Sequence, residues 1–164
     1  MCDYCDCRLI PKIGALSIEH ERVLSLMATL RRLDNAEPSP AIAEESTRLL
    51  TELRVEFAPH TRREEVGLFS MFDEVGIDAD YTKRFADDHV DIADLLERSA
   101  TDHGAITDLL DRLDRHILEE ETDVYPAARQ LFSAAHWAEV HDRLGAAGIT
   151  HHAHENSTMQ TELT

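Results

Sequence analysis

The sequence predicts an all-α protein, an up-down-up-down four-helix bundle with a short additional C-terminal helix. Three observations carry this. Apolar residues recur at three- and four-residue spacing along four long stretches, the pattern of amphipathic helices. Glycine and proline are scarce, six and five in 164 residues, so few breaks interrupt those stretches. Aromatic residues make up only 5% of the chain while charged residues reach 30%, a mix that favours helices over a sandwich or barrel.

The first stretch runs from about Ser17 to Leu33, with Leu16, Val23, Leu24, Met27 and Leu30 as its stripe and Ser17 as the expected N-cap. The segment from Asp34 to Pro40, rich in Pro, Asn and Ser, ends it. The second runs from about Ala41 to Phe72, with Ile42, Leu49, Leu50, Leu53, Phe57 and Leu68 on one side. Pro59 lies inside it and predicts a kink, because proline lacks an N–H and crowds the preceding turn. The third runs from about Ala79 to Ala100 with Phe85, Ile92, Leu95 and Leu96 inward. After His103-Gly104 the fourth runs from about Ala105 to Phe132, with Ile106, Leu109, Leu110, Leu113, Ile117 and Val124 inward and a second expected kink at Pro126. A shorter helix is expected near Ser133 to Leu144. Two connections are short enough to force antiparallel neighbours. The chain thus divides into a cysteine-containing segment over 1–15, the bundle over 16–148 and a polar tail over 149–164.

Charge narrows the function. The net charge of −17 argues against a nucleic-acid partner, which calls for basic patches, and against an anionic membrane surface. No apolar run approaches the roughly 20 residues of a membrane span, and the first residues carry neither a basic region nor an apolar h-region. Cys2, Cys5 and Cys7 are the only cysteines and all lie in the first seven residues. They do not span the core, and their number is odd, so the expected compartment is the reducing cytoplasm. The cluster either gives an extra metal or redox function or is a reduced tail.

Each of the four helices places one histidine on its apolar stripe: His20, His60, His89 and His116. Two of them have a glutamate four residues on, Glu64 after His60 and Glu120 after His116. Positions i and i+4 point the same way on a helix, so both carboxylates face a core in which an unpaired charge is costly. Counted from the connections at ~1.5 Å per residue, antiparallel packing brings the four histidines to about one level. A single histidine on an apolar face is most simply a hydrogen-bonded core residue. Four at one depth with two His-x-x-x-Glu pairs point instead to metal. Imidazole mixed with carboxylate is typical of non-haem iron, and six ligands exceed one tetrahedral zinc. They suit two ions bridged by both glutamates, with a bridging oxide or hydroxide and one open position on each ion. His103 lies in a connection, His136 and His141 on the short helix, and His151, His152 and His154 in the tail.

The residues Glu19-His20-Glu21, His60-Thr61-Arg62-Arg63-Glu64-Glu65 with Leu68-Phe69, His89, and His116-Ile117-Leu118-Glu119-Glu120-Glu121 with Val124-Tyr125-Pro126 together resemble the haemerythrin-like, or HHE cation-binding, family over about residues 16–130. The resemblance implies that His20, His60, Glu64, His89, His116 and Glu120 are iron ligands with the two glutamates bridging. The Glu-x-x-His pattern of ferritin-like bundles does not occur. Oxygen-carrying haemerythrins have a further histidine where this chain has Ala93, and an aspartate five residues after the last-helix histidine, where it has Glu120 and Glu121. The four-histidine, two-glutamate set looks more like the iron-repair and iron-sensing branches. The implied function is a di-iron protein that binds or reacts with a small oxidant (dioxygen, peroxide or nitric oxide) in oxidative or nitrosative stress defence or iron homeostasis, with an electron donor as partner if it turns over. The alternative is a reversible oxygen-binding or sensing module. Glu65, Glu119 and Glu121 are candidates to move protons where they turn inward.

Overall fold

The computed structural model describes residues 6–149. A 3-10 turn at Cys7–Leu9 leads into α1 (Pro11–Asp34). Next comes α2 (Pro40–Arg63), which passes through a π-turn at Glu64–Phe69 into the short α3 (Ser70–Glu74). After a turn at Gly76, whose φ of 83° suits a residue without Cβ, α4 (Ala79–Arg98) follows. α5 (Gly104–Glu119) passes through a second π-turn, Glu120–Val124, into α6 (Tyr125–Leu131). α7 (Ala134–Ala146) closes the described chain. No strand occurs among the described residues.

The helix starts are made locally. Ser39 accepts a hydrogen bond from the Ile42 N–H at 3.2 Å, and Pro40 takes the first helical position, where its missing N–H costs nothing. Asp78 caps α4 through the Asp80 N–H. Ser133 and His136 form a reciprocal capping box on α7. α1 starts a turn and a half before the expected Ser17. Pro11 opens it, Ile13 and Leu16 extend the apolar stripe, and Ser17 is buried mid-helix rather than capping.

α1 packs on α2 and α5, and α4 packs on the same two helices, giving the closed square of an up-down-up-down bundle. α7 lies over the first π-turn. A Cβ at Gly67 would meet Val140 at 3.3 Å, so the missing side chain allows this close approach. The expected kinks take another form. α2 runs unbroken through Pro59, and Pro126 stands in the first turn of α6, where proline is tolerated. The departures from α geometry fall at Glu64 and Glu120 instead.

The core is two apolar clusters rather than one. Val23, Met27, Leu30, Leu53, Phe57, Ile92, Leu109 and Leu113 belong to the first. Leu16, Leu68, Phe72, Phe85, Val124, Tyr125 and Phe132 belong to the second, together with Val140 and Leu144 of α7. On α1 and α4 the buried histidine stands between members of the two, whereas on α2 and α5 the helix carries the first cluster and the second begins in the π-turn that follows. Cys7 is buried in the second cluster and is disulfide-bonded, which corrects the expectation of a reduced tail away from the core. Cys2, Cys5, His151, His152 and His154 lie outside the described residues. No described helix is long and apolar enough to cross a membrane.

Candidate metal centre

The polar layer is built from one histidine on each long helix and one glutamate at the start of each π-turn. His20, His60, Glu64, His89, His116 and Glu120 are all buried, none more than 4% exposed. Their donor atoms fall into two overlapping groups, His20, His60, Glu64 and Glu120 on one side and His89, His116, Glu64 and Glu120 on the other. Within each group the atoms lie within 4.8 Å of one another. Both glutamates belong to both groups, as required of bridging ligands.

All four Nε2 atoms turn inward. The Glu64 Oε2 atom lies 3.3 Å from Nε2 of both His60 and His89. Glu120 divides its oxygens: Oε2 stands 3.1 Å from His20 Nε2 and Oε1 stands 3.1 Å from His116 Nε2. These atoms are close but poorly aligned for hydrogen bonds. Glu64 Oε2, His89 Nε2, His116 Nε2 and both Glu120 oxygens are buried without a hydrogen-bond partner. Orphaned polar atoms in a core are costly, and here they converge instead of pairing. The residues present fit a metal pair.

The outer nitrogens face carboxylates. His20 Nδ1 lies 3.0 Å from Glu121 Oε1, His60 Nδ1 lies 3.0 Å from Glu19 Oε2, and His89 Nδ1 lies 2.8 Å from Glu65 Oε1. His116 Nδ1 is 3.7 Å from Asp88 Oδ2, beyond hydrogen-bond reach, and Asp88 is engaged by Arg112. Carboxylates in this position fix the tautomer and ring orientation of metal-binding histidines. Glu19 is held in turn by Arg63 at 3.1 Å, and Arg8 stands 3.7 Å from Glu121. The Tyr125 hydroxyl donates to Glu64 Oε1 at 2.7 Å, and its ring stacks on His20 with centroids 5.5 Å apart.

Without metal the layer holds protons. Burial disfavours charge on His89, but the adjacent Glu120 and Glu64 outweigh it and raise the imidazole to about 10. His20 and His60 are raised for the same balance of reasons. Burial and Glu120 push the Glu64 carboxyl up, and His60 and His89 overcome them, leaving it at about 2.

All six predicted residues therefore meet at one level. Of the three candidate proton carriers, Glu121 is buried on His20, Glu65 is half-exposed on His89, and Glu119 does not join the cluster. Sequence reasoning gave Tyr125, Glu19 and Asp88 no role. Glu19 directly precedes His20 and Asp88 directly precedes His89, but adjacency alone does not say which way a carboxylate turns.

Comparison with protein families decides the relationship, since the model of the hemerythrin HHE cation-binding domain matches residues 12–128. The chain belongs to that family. Comparison with curated proteins and with solved structures gives no match. As a member of a cation-binding family whose buried histidines and glutamates form two metal-sized groups, this hemerythrin-like protein is a metal-binding helical bundle.

Proposed function

We propose that the six buried residues hold two iron ions and that the protein binds and reacts with a small oxidant, dioxygen, peroxide or nitric oxide. One observation carries the reading: the two donor groups overlap in Glu64 and Glu120 alone. Two histidines for each ion and two shared carboxylates leave each ion short of six donors. Two such ions would supply adjacent open positions with redox and Lewis-acid character.

The chain's own residues provide everything else. Glu121, Glu19 and Glu65 hold the Nδ1 protons of His20, His60 and His89, so each Nε2 lone pair faces inward. Tyr125 holds Glu64 Oε1 and leaves Oε2 to both halves. The two apolar clusters exclude water from above and below. Ala93 adds no donor to the His89 side, which favours reaction with an oxidant over its reversible carriage. The role that follows is oxidative or nitrosative stress defence or iron homeostasis in the cytoplasm, with an electron donor where the reaction turns over.

The test is anaerobic purification with metal analysis, then spectra of the reduced protein with dioxygen, peroxide and nitric oxide in turn. Two irons per chain and rapid oxidation to a stable ferric form are expected. A long-lived oxygen adduct that reverses on degassing, or a purified protein without iron that takes up none, overturns the reading.

A further inference from the structure

The two sides of the metal centre are closed by different materials, and one of them has a way in. A cavity of about 190 Å3 opens between α2 and α4, walled by Phe57, Ala58, Ala93 and Leu96, with His89 at its inner side. The charged side chains that also line it, Arg54 and Glu97, are exposed and opposite in sign. Two larger depressions are lined by none of the six buried residues, although the second is bounded by Glu65 and Phe69, which stand on the outer side of His89. One lies between α1 and α2 around Leu26 and Val55, and the other around Ser70 and Lys83.

Phe57 lines this cavity beside His89. It makes edge contacts with both imidazoles, His89 at 5.9 Å and His116 at 6.3 Å, centroid to centroid. On the far side His20 and His60 are shut in by Tyr125 and by the Glu121 and Glu19 carboxylates with their arginines. A small ligand crossing there would have to separate charge pairs in a buried setting, which is expensive. A ligand crossing at Phe57 displaces only apolar contacts.

We infer that an uncharged diatomic molecule, dioxygen or nitric oxide, enters through the α2–α4 cavity and meets the centre at its His89/His116 side. This rests on the di-iron reading given above, adds the route and the side of first contact, and narrows the ligand to a diatomic. Arg54, Thr61 and Glu97 also line the cavity, but the stretch formed by Phe57, Ala58, Ala93 and Leu96 offers a charge no partner, so a small neutral molecule passes it at lower cost than a hydrated anion. The small side chains at 58 and 93 keep the cavity open: each is an alanine on an exposed stretch of its helix, and neither packs into the core.

The experiment has two arms. In the first, the metal-free protein is placed under xenon pressure and amide shifts are followed by NMR, since apolar cavities of this size accept xenon. Shifts confined to Ala58, Ala93 and their neighbours are expected in the wild type and absent in Ala93→Trp; no xenon effect there overturns the route. In the second, the reduced iron-loaded protein is mixed with nitric oxide in a stopped-flow instrument. Ala93→Trp should keep its iron and its melting temperature while nitric oxide binds slower by about tenfold or more, a barrier increase of ~1.4 kcal/mol. Ser25→Trp, which fills the α1–α2 depression, should leave the rate unchanged. An unchanged rate in Ala93→Trp with the cavity filled and iron intact overturns the inference. Should Ala93→Trp not fold, Ala58→Trp fills the same space from the opposite wall. A wild-type protein that takes up no iron defeats the di-iron reading, while the xenon arm still decides whether the cavity admits an apolar guest.

Discussion

The His20/His60 side and the His89/His116 side of the centre share both carboxylates and differ in nearly everything around them. The first is wrapped in charge and hydrogen bonds: Glu121 and Glu19 on the outer nitrogens, Arg8 and Arg63 behind them, Tyr125 across Glu64 and His20. The second is wrapped in rings, with Phe57, Phe69 and Phe85 all packed on its two imidazoles. Its outer carboxylates are looser, since Glu65 is half-exposed and Asp88 stands off His116. A polar shell anchors ligands tightly and resists opening. An aromatic shell keeps water out but yields to a small apolar guest. On the proposed reading both sides hold metal, and the difference between their shells makes the aromatic side the one that admits a ligand.

The strongest way to break the comparison is to remove what the sides share. Glu120→Ala takes a separate oxygen from each side and should cost both metals, and Glu64→Ala should do nearly the same. His60→Ala or His89→Ala should cost chiefly the metal of its own side. Metal analysis of the purified variants checks this; full metal content after any of these changes would defeat the ligand assignment.

Metal removal comes next. A metal that binds only the folded state at 100 to 1,000 times its Kd adds about 3–4 kcal/mol by linkage, so the metal-free protein should melt clearly lower by calorimetry. Equal melting temperatures would mean the layer does not bind metal in the folded core.

Acidity sharpens the same experiment. The raised imidazoles stabilise the metal-free fold fully below their ordinary value of 6.5, and that contribution is lost as pH climbs through the folded value, about 10 for His89. The depressed Glu64 carboxyl stabilises above its ordinary 4.5 and is lost as pH falls toward about 2. The metal-free protein should therefore be most stable between these ordinary values and weaken toward alkaline pH. Metal must displace the same protons, so its affinity should rise with pH. The melting gap between loaded and metal-free protein should widen from pH 6.5 to pH 9, and a gap that narrows would contradict the proton bookkeeping.

Smaller effects separate the two shells. Glu121→Gln, at a buried carboxylate, should weaken metal binding by about 10- to 100-fold, and the half-exposed Glu65→Gln should weaken it less. Chelator competition measures both. His103→Ala, at an exposed helix start, should change nothing.

Much of this was legible in the sequence because helical periodicity is strong in just those places where ligands sit. His20 between Leu16 and Val23, or His116 between Leu113 and Ile117, reads as inward from its neighbours alone. The antiparallel connections then bring four such positions to one depth. What could not be read depends on contacts across the bundle. Tyr125 lies 61 residues from the Glu64 oxygen it holds, and no local pattern announces that pairing. α1 begins before the expected Ser17 because Pro11 takes the first helical position, where a proline is favourable, and Ser17 falls inside the helix instead of capping it. The prolines in turn promised bends that the backbone made elsewhere.

Those two π-turns have a consequence for the chain's register. A π-turn is a helix carrying one residue too many, so the helical wheel before it and the wheel after it are out of phase by about one residue, or ~100°. Up to Glu64 and Glu120, the buried face of α2 and α5 is set by the histidines. Beyond the slip it is set afresh by Leu68, Met71 and Phe72 in one case and by Val124, Tyr125 and Ala128 in the other. Ligand geometry and lower-core packing are thereby written on separate wheels. Deleting Thr122 would merge them in α5, leaving His116 where it is but swinging Tyr125 away from Glu64.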